Sequence, residues 1–300
     1  MTQELKGHLA MLCFSALIAG SFALGSLIIN SLSPIVVTVI RFAITALILG
    51  GVIIVTQPLS RLSFKTPLRY IILGSCLVLY FVLMFEALKT ASAISLSVEF
   101  TMAPFISGLF GYLILRQKIT LRILVALFIG SIGALWVIFK GDLSRFLEFQ
   151  VGRGEILFFV GMSFYALYVP LVRKFNYDEP PIVFTFAITM GALLISLPFA
   201  FNEIINTNFA VIRSLDVFII LYLAIFASAA TFLLIQYAAL RLPSVKVMAH
   251  TYLTPSWVIV WHLLLGIEGP SSSDFAGIFF TIVALVILLK GQTKDKVSRS

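Results

Sequence analysis

The chain reads as a succession of apolar runs, each close to the ~20 residues that carry a helix across a bilayer. Ten of them can be marked: 7–29, 34–55, 68–88, 91–115, 121–139, 154–172, 181–201, 216–240, 244–265 and 275–289. Runs of that length leave no polar face for water, and in lipid every backbone N–H and C=O must be satisfied within the segment. The expected fold is therefore all-α and integral to the membrane, with ten transmembrane helices. Composition agrees. Across 300 residues, 60% are hydrophobic and 11% charged, whereas a soluble domain carries about 25% charged residues.

The net charge of +8 is better read by position than as a sign of nucleic acid. With the N-terminus inside, 15 Lys and Arg fall on inner loops and tails and 5 on outer ones, with Arg41 left in the membrane. That asymmetry predicts both termini in the cytoplasm, in a multi-pass protein of the bacterial inner membrane. The opening MTQELKGH enters an apolar run with no small-residue cleavage site, so the first segment is expected to be an uncleaved helix. Cys13 and Cys76 both lie in apolar runs and are expected to be buried thiols, not a disulfide framework.

Order within the chain repeats. Pro34-Ile35-Val36-Val37-Thr38 returns as Pro181-Ile182-Val183-Phe184-Thr185. The stretch from Glu86 to Pro104 returns from Gln236 and Tyr237 to Pro255. Ala134-Leu135 and Lys140-Gly141 return as Ala284-Leu285 and Lys290-Gly291. Each half holds five spans, an odd number, so the halves are expected to lie in opposite orientations. The division is a first five-helix repeat at 1–141, an external connection at 142–153, a second repeat at 154–291 and a cytoplasmic tail at 292–300. Inverted repeats of this kind mark transporters, with the substrate near the midplane between them. The connections 141–153 and 202–215 are either short surface helices or loops. Small residues spaced for close helix approach include Gly20, Gly25, Gly130 and Gly133.

An ionisable group inside an apolar run is costly and points to function by default. Glu99 lies ~10 Å from the outer end of the fourth span, with Arg41 at similar depth in the second and Glu86 near the outer end of the third. Glu99 either faces a cavity, to bind a cationic group or exchange a proton, or is fixed in an ion pair. For Arg41 the expected partner is Glu86, a static pair that locks helices together. His250 falls opposite Glu99 in the repeat and either couples to protons or packs through a hydrogen bond. Gln236, near the repeat position of Glu86, either binds a polar group of the substrate or bridges helices. Tyr80, Tyr165 and Trp257 are candidates for the wall of a pocket. Pro104 and Pro255, at matching places in mid-span, remove the bonds to the carbonyls of Phe100 and Thr251 and predict kinks.

The sequence contains no Walker A loop, His-Glu-x-x-His, Cys-x-x-Cys or nucleophile elbow, so ATP drive and enzymatic chemistry are not expected. Three histidines, His8, His250 and His262, do not suggest a metal centre, and no cofactor is implied.

The motifs in order, Arg41-Phe42, Ala87-Leu88-Lys89, Pro104 and Ile129-Gly130-Ser131-Ile132-Gly133-Ala134-Leu135, with the echo Ala239-Leu240-Arg241, Pro255, Gly266-Ile267-Glu268 and Ala284-Leu285, resemble the EamA branch of the drug/metabolite transporter superfamily. The resemblance implies a ten-helix carrier, usually an exporter of amino acids, metabolites or toxic compounds. It also implies a cavity lined mostly by spans other than the fifth and tenth. Where that family places a Gly-Glu pair after the fourth span, this chain has Leu115-Arg116-Gln117-Lys118. The expected function is secondary transport of a small organic metabolite such as an amino acid, by alternating access. A channel-like facilitator or a lipid-moving protein is the alternative. The expected partners are a small-molecule substrate and the lipid bilayer, with a homodimer left open and no nucleic acid.

Overall fold

A computed structural model describes residues 2–56, 66–117, 120–139, 142, 144, 151–267 and 272–290. The expectations placed on Lys118, Lys140, Gly141, Glu268 and most of 142–150 lie outside these. The described residues form helices and no strands. Ten helical passages follow one another: α1 (Gln3–Ile28), α2 (Pro34–Thr56), α3 (Leu68–Ala87), α4 (Ala93–Leu115), α5 (Leu121–Ile138), α6 (Arg153–Phe175), α7 (Pro181–Asn206), α8 (Ser214–Ala239), α9 (Ser244–Met248, Ala249–Leu253 and Thr254–Leu265) and α10 (Ser272–Lys290). Seven of them, α1–α4 and α6–α8, are long and apolar enough to cross a membrane, while α5 and α10 hold shorter apolar cores. The ninth passage falls outside both groups, because His250, Thr251, Tyr252, Thr254 and Pro255 dilute its apolar run.

The ends are set locally. Thr2 and Ser92 accept the backbone N–H of Leu5 and Ser95 and cap α1 and α4. Both α4 and α9 stop on a left-handed residue, Arg116 at φ 51° and Gly266 at φ 66°. Glycine takes that conformation freely, while an L side chain there crowds the following carbonyl. The passage α7 runs past Phe201 to Asn206, because polar side chains continue it: Asn206 and Thr207 donate to the carbonyls of Asn202 and Glu203.

Midway, α4 and α9 tighten into 3₁₀ turns, at Phe100–Met102 and Ala249–Leu253, just ahead of Pro104 and Pro255. The proline breaks therefore take the same form in both passages. The passage α8 carries a π turn at Ile225–Ala230, which no sequence signal announced beyond the small residues of Ala227-Ser228-Ala229-Ala230.

Packing is organised by partner. The passage α6 lies on α3 and α4, and α1 lies on α8 and α9. In the same way α3 meets α7 where α8 meets α2, and α5 meets α4 where α10 meets α9; α2 with α7, α4 with α9, and α5 with α10 make the remaining major contacts. One large apolar core joins α1–α4 to α6–α9. A smaller cluster of Ala126, Ala249, Tyr252, Ala284 and Leu285 holds α5 and α10 at its side.

Close approaches fall on the small residues. A side-chain carbon on Gly74 would stand 2.4 Å from the backbone nitrogen of Ala192, and one on Gly191 2.6 Å from the carbonyl of Tyr70. The expected close-packing glycines also have partners: Gly20 faces the Tyr222 ring, Gly25 faces Phe85, Gly130 faces Tyr252 and Gly133 faces the Gly277 carbonyl. Outward faces stay apolar, as at Leu47, Val55, Phe128, Phe199 and Leu264, which suits acyl chains. Cys76 is buried, but Cys13 is exposed on the outward side of α1, contrary to expectation.

Candidate functional site

Arg41 is fully buried on α2, and among the described residues no carboxylate pairs with it. Its Nε donates to the Ser228 hydroxyl, and Nη2 donates to the Ala227 carbonyl and, at 3.4 Å, to Ser21. The guanidinium also stacks on Phe81, 3.7 Å from the ring centre. Ser228 and Ala227 belong to the π turn of α8, whose altered backbone pairing lets α2 hook on; Thr45 makes a second hook to the Ala224 carbonyl at 3.0 Å. The remaining nitrogen, Nη1, is buried with no hydrogen-bond partner among the described residues.

Around this cation stands an aromatic cluster drawn from α1, α3, α4, α6 and α8. Tyr80 and Tyr165 stack 4.4 Å apart, Phe100 lies 5.9 and 5.8 Å from them, and Phe158 packs 6.3 Å from Tyr80. Tyr168 follows at 6.0 Å from Tyr165. The hydroxyls of Tyr80 and Tyr165 are buried with no hydrogen-bond partner among the described residues, and the Tyr168 hydroxyl lies within reach of the buried Gln236 amide. Buried polar groups are nearly always paired, so the unpaired hydroxyls of Tyr80 and Tyr165 beside Arg41 make this cluster a candidate binding site. Sequence position alone had named Arg41, Tyr80, Tyr165 and Gln236. Ser21 and Ser228 come from the fold, because only packing brings their passages together.

Glu99 lies elsewhere. It lines a cavity of about 270 Å³ between α4, α5 and α6, with Met102, Leu135, Phe139, Glu155 and Phe159. The side chain is 2% exposed and its Oε2 has no hydrogen-bond partner among the described residues. The fifth passage thus contributes Leu135 and Phe139 to a cavity beside a candidate residue. Glu155 was missed, although it stands opposite His8 at the same offset of 147 that joins Pro34 to Pro181. The matching position in α9 holds His250, whose ring lies 5.3 Å from that of His8 and whose Nδ1 is 3.3 Å from the Lys246 carbonyl.

Two expectations are corrected. Arg41 and Glu86 do not pair: Glu86 is 36% exposed at the end of α3 and binds Lys89 one turn on, at 2.7 Å. A charge at the lip of a helix finds its neighbour in sequence more cheaply than a buried partner. Trp257 points outward, 36% exposed, so it is no part of the buried cluster; the polar side of α9 carries Thr254 and Tyr252 inward instead. Among the described residues no three His, Cys, Asp or Glu side chains gather to hold a metal.

The EamA-like transporter family matches residues 5–139 and again residues 152–290. The chain belongs to the EamA-like transporter family. Among curated proteins it is similar to an uncharacterized transporter, YyaM, of Bacillus subtilis (strain 168), at 25% identity over 194 residues, which is 64% of this chain and 64% of that protein. Among solved structures one crystal structure superposes with a TM-score of 0.71 at 16% identity, covering 97% of this chain and 98% of the other.

Two further contacts of this EamA-like chain cross between the matched segments, at opposite ends of the bundle. At one end Arg69, at the start of α3, donates to the Phe175 carbonyl at 2.6 Å and pairs with Glu179 at 2.5 Å, while the Tyr70 hydroxyl donates to the same carboxylate. At the other end Arg213, beside Asp216 at 2.7 Å, reaches Ser31 at 3.2 Å, over a hollow of about 440 Å³ lined by Leu27, Asn30, Asn208 and Val211. A nearly buried ion pair lies at one end and an exposed hydroxyl contact at the other.

Proposed function

We infer that the chain is a secondary carrier that exports a small organic metabolite, such as an amino acid, by alternating access across the bacterial inner membrane. In this reading ten spans form two inverted five-helix halves, bounded at 1–141 and 154–291, with both termini cytoplasmic. The observation that carries it is the exchange of packing partners: α6 against α3 and α4 is answered by α1 against α8 and α9, as two halves related by an axis in the membrane plane require. The duplicate family match supports a doubled architecture.

Arg41, Tyr80, Tyr165 and Gln236 sit where those halves meet and form the substrate site. Glu99, with Glu155 beside it, is the site at which a proton gradient would couple, and His250 with His8 is its counterpart in the other half. Pro104 and Pro255 supply the matched breaks about which α4 and α9 bend. The ion pair at Arg69 closes one end of the path, while the hollow by Arg213 lies open at the other.

The test is solute flux in proteoliposomes, with amino acids screened first, for wild type beside Glu99→Gln, with and without an imposed pH gradient. Saturable flux driven by the gradient in wild type, with only that dependence lost in the variant, is the expected outcome. Equal flux in both, blind to the gradient, would make Glu99 structural and the carrier a facilitator. Single-channel currents would replace the carrier by a channel, and no flux of any solute in a broad panel would count against transport of metabolites.

A further inference from the structure

We propose that the cavity at Glu99 and Glu155 is a lateral binding site for a protonated amine on an apolar chain, reached from the lipid between α5 and α6. The proposal builds on the reading of these two carboxylates as one working site and names the ligand that their cavity selects.

The first ground is an unanswered carboxylate. Glu99 is 2% exposed, and its Oε2 has no hydrogen-bond partner among the described residues. Other acids of this chain have found cations: Glu86 holds Lys89, Glu179 holds Arg69 and Asp216 holds Arg213. Among the described residues no such pair forms at Glu99 or at Glu155. A carboxylate inside an apolar helix is costly unless a cation or donors meet it. An ammonium group carries three donors and no acceptor, so one such group can serve both carboxylates that line this cavity. An anion would meet like charge there, and a hydrocarbon would leave Oε2 unpaired.

The second ground is the repeat. The positions that answer to Glu99 and Glu155 in the other half of the chain hold His250 and His8, whose rings lie 5.3 Å apart. The fold accepts a different pair at the same two places, so helix packing does not by itself call for two acids at this one.

The third ground is access and size. Glu155 stands in the first turn of α6 and Glu99 about two turns into α4. Both lie toward one end of the bundle, because Gly154 packs against Thr90 and Ala91, just ahead of α4. The rest of the wall is apolar, with Met102, Leu135 and Phe139 from α4 and α5. From α6 the wall is Ile156, Phe159 and Val160, all three exposed on the outside of the bundle. Opposite them, α5 packs chiefly on α10 and α4. The cavity therefore opens sideways, to acyl chains. Its volume of about 270 Å³ falls just short of the roughly 300–1,000 Å³ of pockets for drug-sized ligands. That room suits an ammonium head and the first carbons of a chain whose remainder stays in lipid. A phospholipid with an ethanolamine head and a free single-chain amine offer this same chemistry, and the experiment separates them.

The experiment uses the full-length protein in nanodiscs of phosphatidylcholine, whose quaternary head has no N–H to donate. It reads the mole fraction of each added probe that gives half of the maximal rise in melting temperature. The probes are octylamine, N-octylacetamide, octanol and octanoate, at pH 7, where an alkylamine is protonated as a lysine is. Phosphatidylethanolamine mixed into the bilayer forms a separate arm. Octylamine should act at a mole fraction at least about tenfold below that of the amide or the alcohol, since hydrogen bonds to a charged group are the strong ones. Octanoate should give no rise. Glu99→Gln should lose the preference for the amine, and Glu155→Gln should narrow it. Leu135→Trp, which fills the cavity and keeps both acids, should lose the response to octylamine. The probe series on wild type stands whether or not a variant folds.

A Glu99-dependent rise with phosphatidylethanolamine assigns a lipid head as the occupant, and one with octylamine alone assigns a free amphiphilic amine. If octylamine does no better than the amide and the alcohol, and phosphatidylethanolamine gives no Glu99-dependent rise, the amine assignment is wrong. If Glu99→Gln folds and keeps the full preference for the amine, the same conclusion follows. Flux tells these failures from a failure of proton coupling. Flux that follows the pH gradient only with Glu99 present keeps the coupling site without an amine, and flux blind to the gradient with the amine preference intact removes the coupling and leaves the amine site.

Discussion

Individual side chains divide here by whether they found a partner close in sequence or only in space. Glu86 found Lys89 one turn away and both remain more than a third exposed, so this pair contributes about 0–1 kcal/mol. Glu86→Gln should therefore leave thermal stability in detergent unchanged within that range and flux within about twofold. A tenfold loss of flux would return Glu86 to the site. Arg41 is the opposite case, with partners 186 and 187 residues away. Arg116 makes a third kind, for it holds a left-handed conformation at φ 51° that costs an L residue about 1–2 kcal/mol. Arg116→Gly should raise the melting temperature, with a gain of about 1 kcal/mol; a fall would mean that the arginine side chain makes contacts worth more than the strain.

Helices meet where side chains are small enough to let backbones touch. The passages α3 and α7 do so at Gly74 and Gly191, each pressed against the other's main chain. A methyl group there cannot be accommodated by moving a flexible side chain, since its neighbours are backbone atoms. Gly74→Ala and Gly191→Ala should each destabilise by about 1–3 kcal/mol, and the double variant should cost less than the sum, since one separation of the helices relieves both clashes. Thermal unfolding in detergent would read both, and strict additivity would show that the glycines act independently. The paired breaks at Pro104 and Pro255 follow from proline's missing N–H and were legible in advance. The π turn of α8 was not, since the side chains that bind its carbonyls, Arg41 and Thr45, come from α2, far away in sequence.

Across the whole molecule the contrast between the two ends is the feature with most consequence. The Arg69–Glu179 pair is 5% and 14% exposed and carries Tyr70 with it. Removing one partner, as in Arg69→Met, strands a nearly buried charge and should cost about 3–5 kcal/mol, whereas Arg69→Met with Glu179→Leu should recover most of it. Melting curves of the three proteins decide this, and a double variant as weak as the single would show that the pair is worth more than its apolar replacement. Orientation is tested by labelling. With Cys13 and Cys76 replaced, a cysteine at Ser31 should react with an impermeant maleimide on intact cells, and one at Asp178 only after permeabilisation. Equal labelling of both would overturn the orientation read from loop charge.

The sequence by itself determined that the chain is helical and lies in a membrane, where most of its helices begin and end, and that its order of motifs runs twice. Those are properties of runs and spacings, which a helix in lipid must obey residue by residue. It also picked out Arg41, Tyr80, Tyr165 and Gln236, since each is polar or aromatic at a telling place in an apolar run. Only the tertiary structure decided which of the candidates meet. Glu86 turned to its neighbour, Trp257 turned to the outside, Glu99 took Glu155 as its companion, and Tyr168 joined the central cluster. The reason is that the face of a helix turned inward is set by packing against other helices, and a helix apolar on nearly every side carries no moment in its sequence to announce that face.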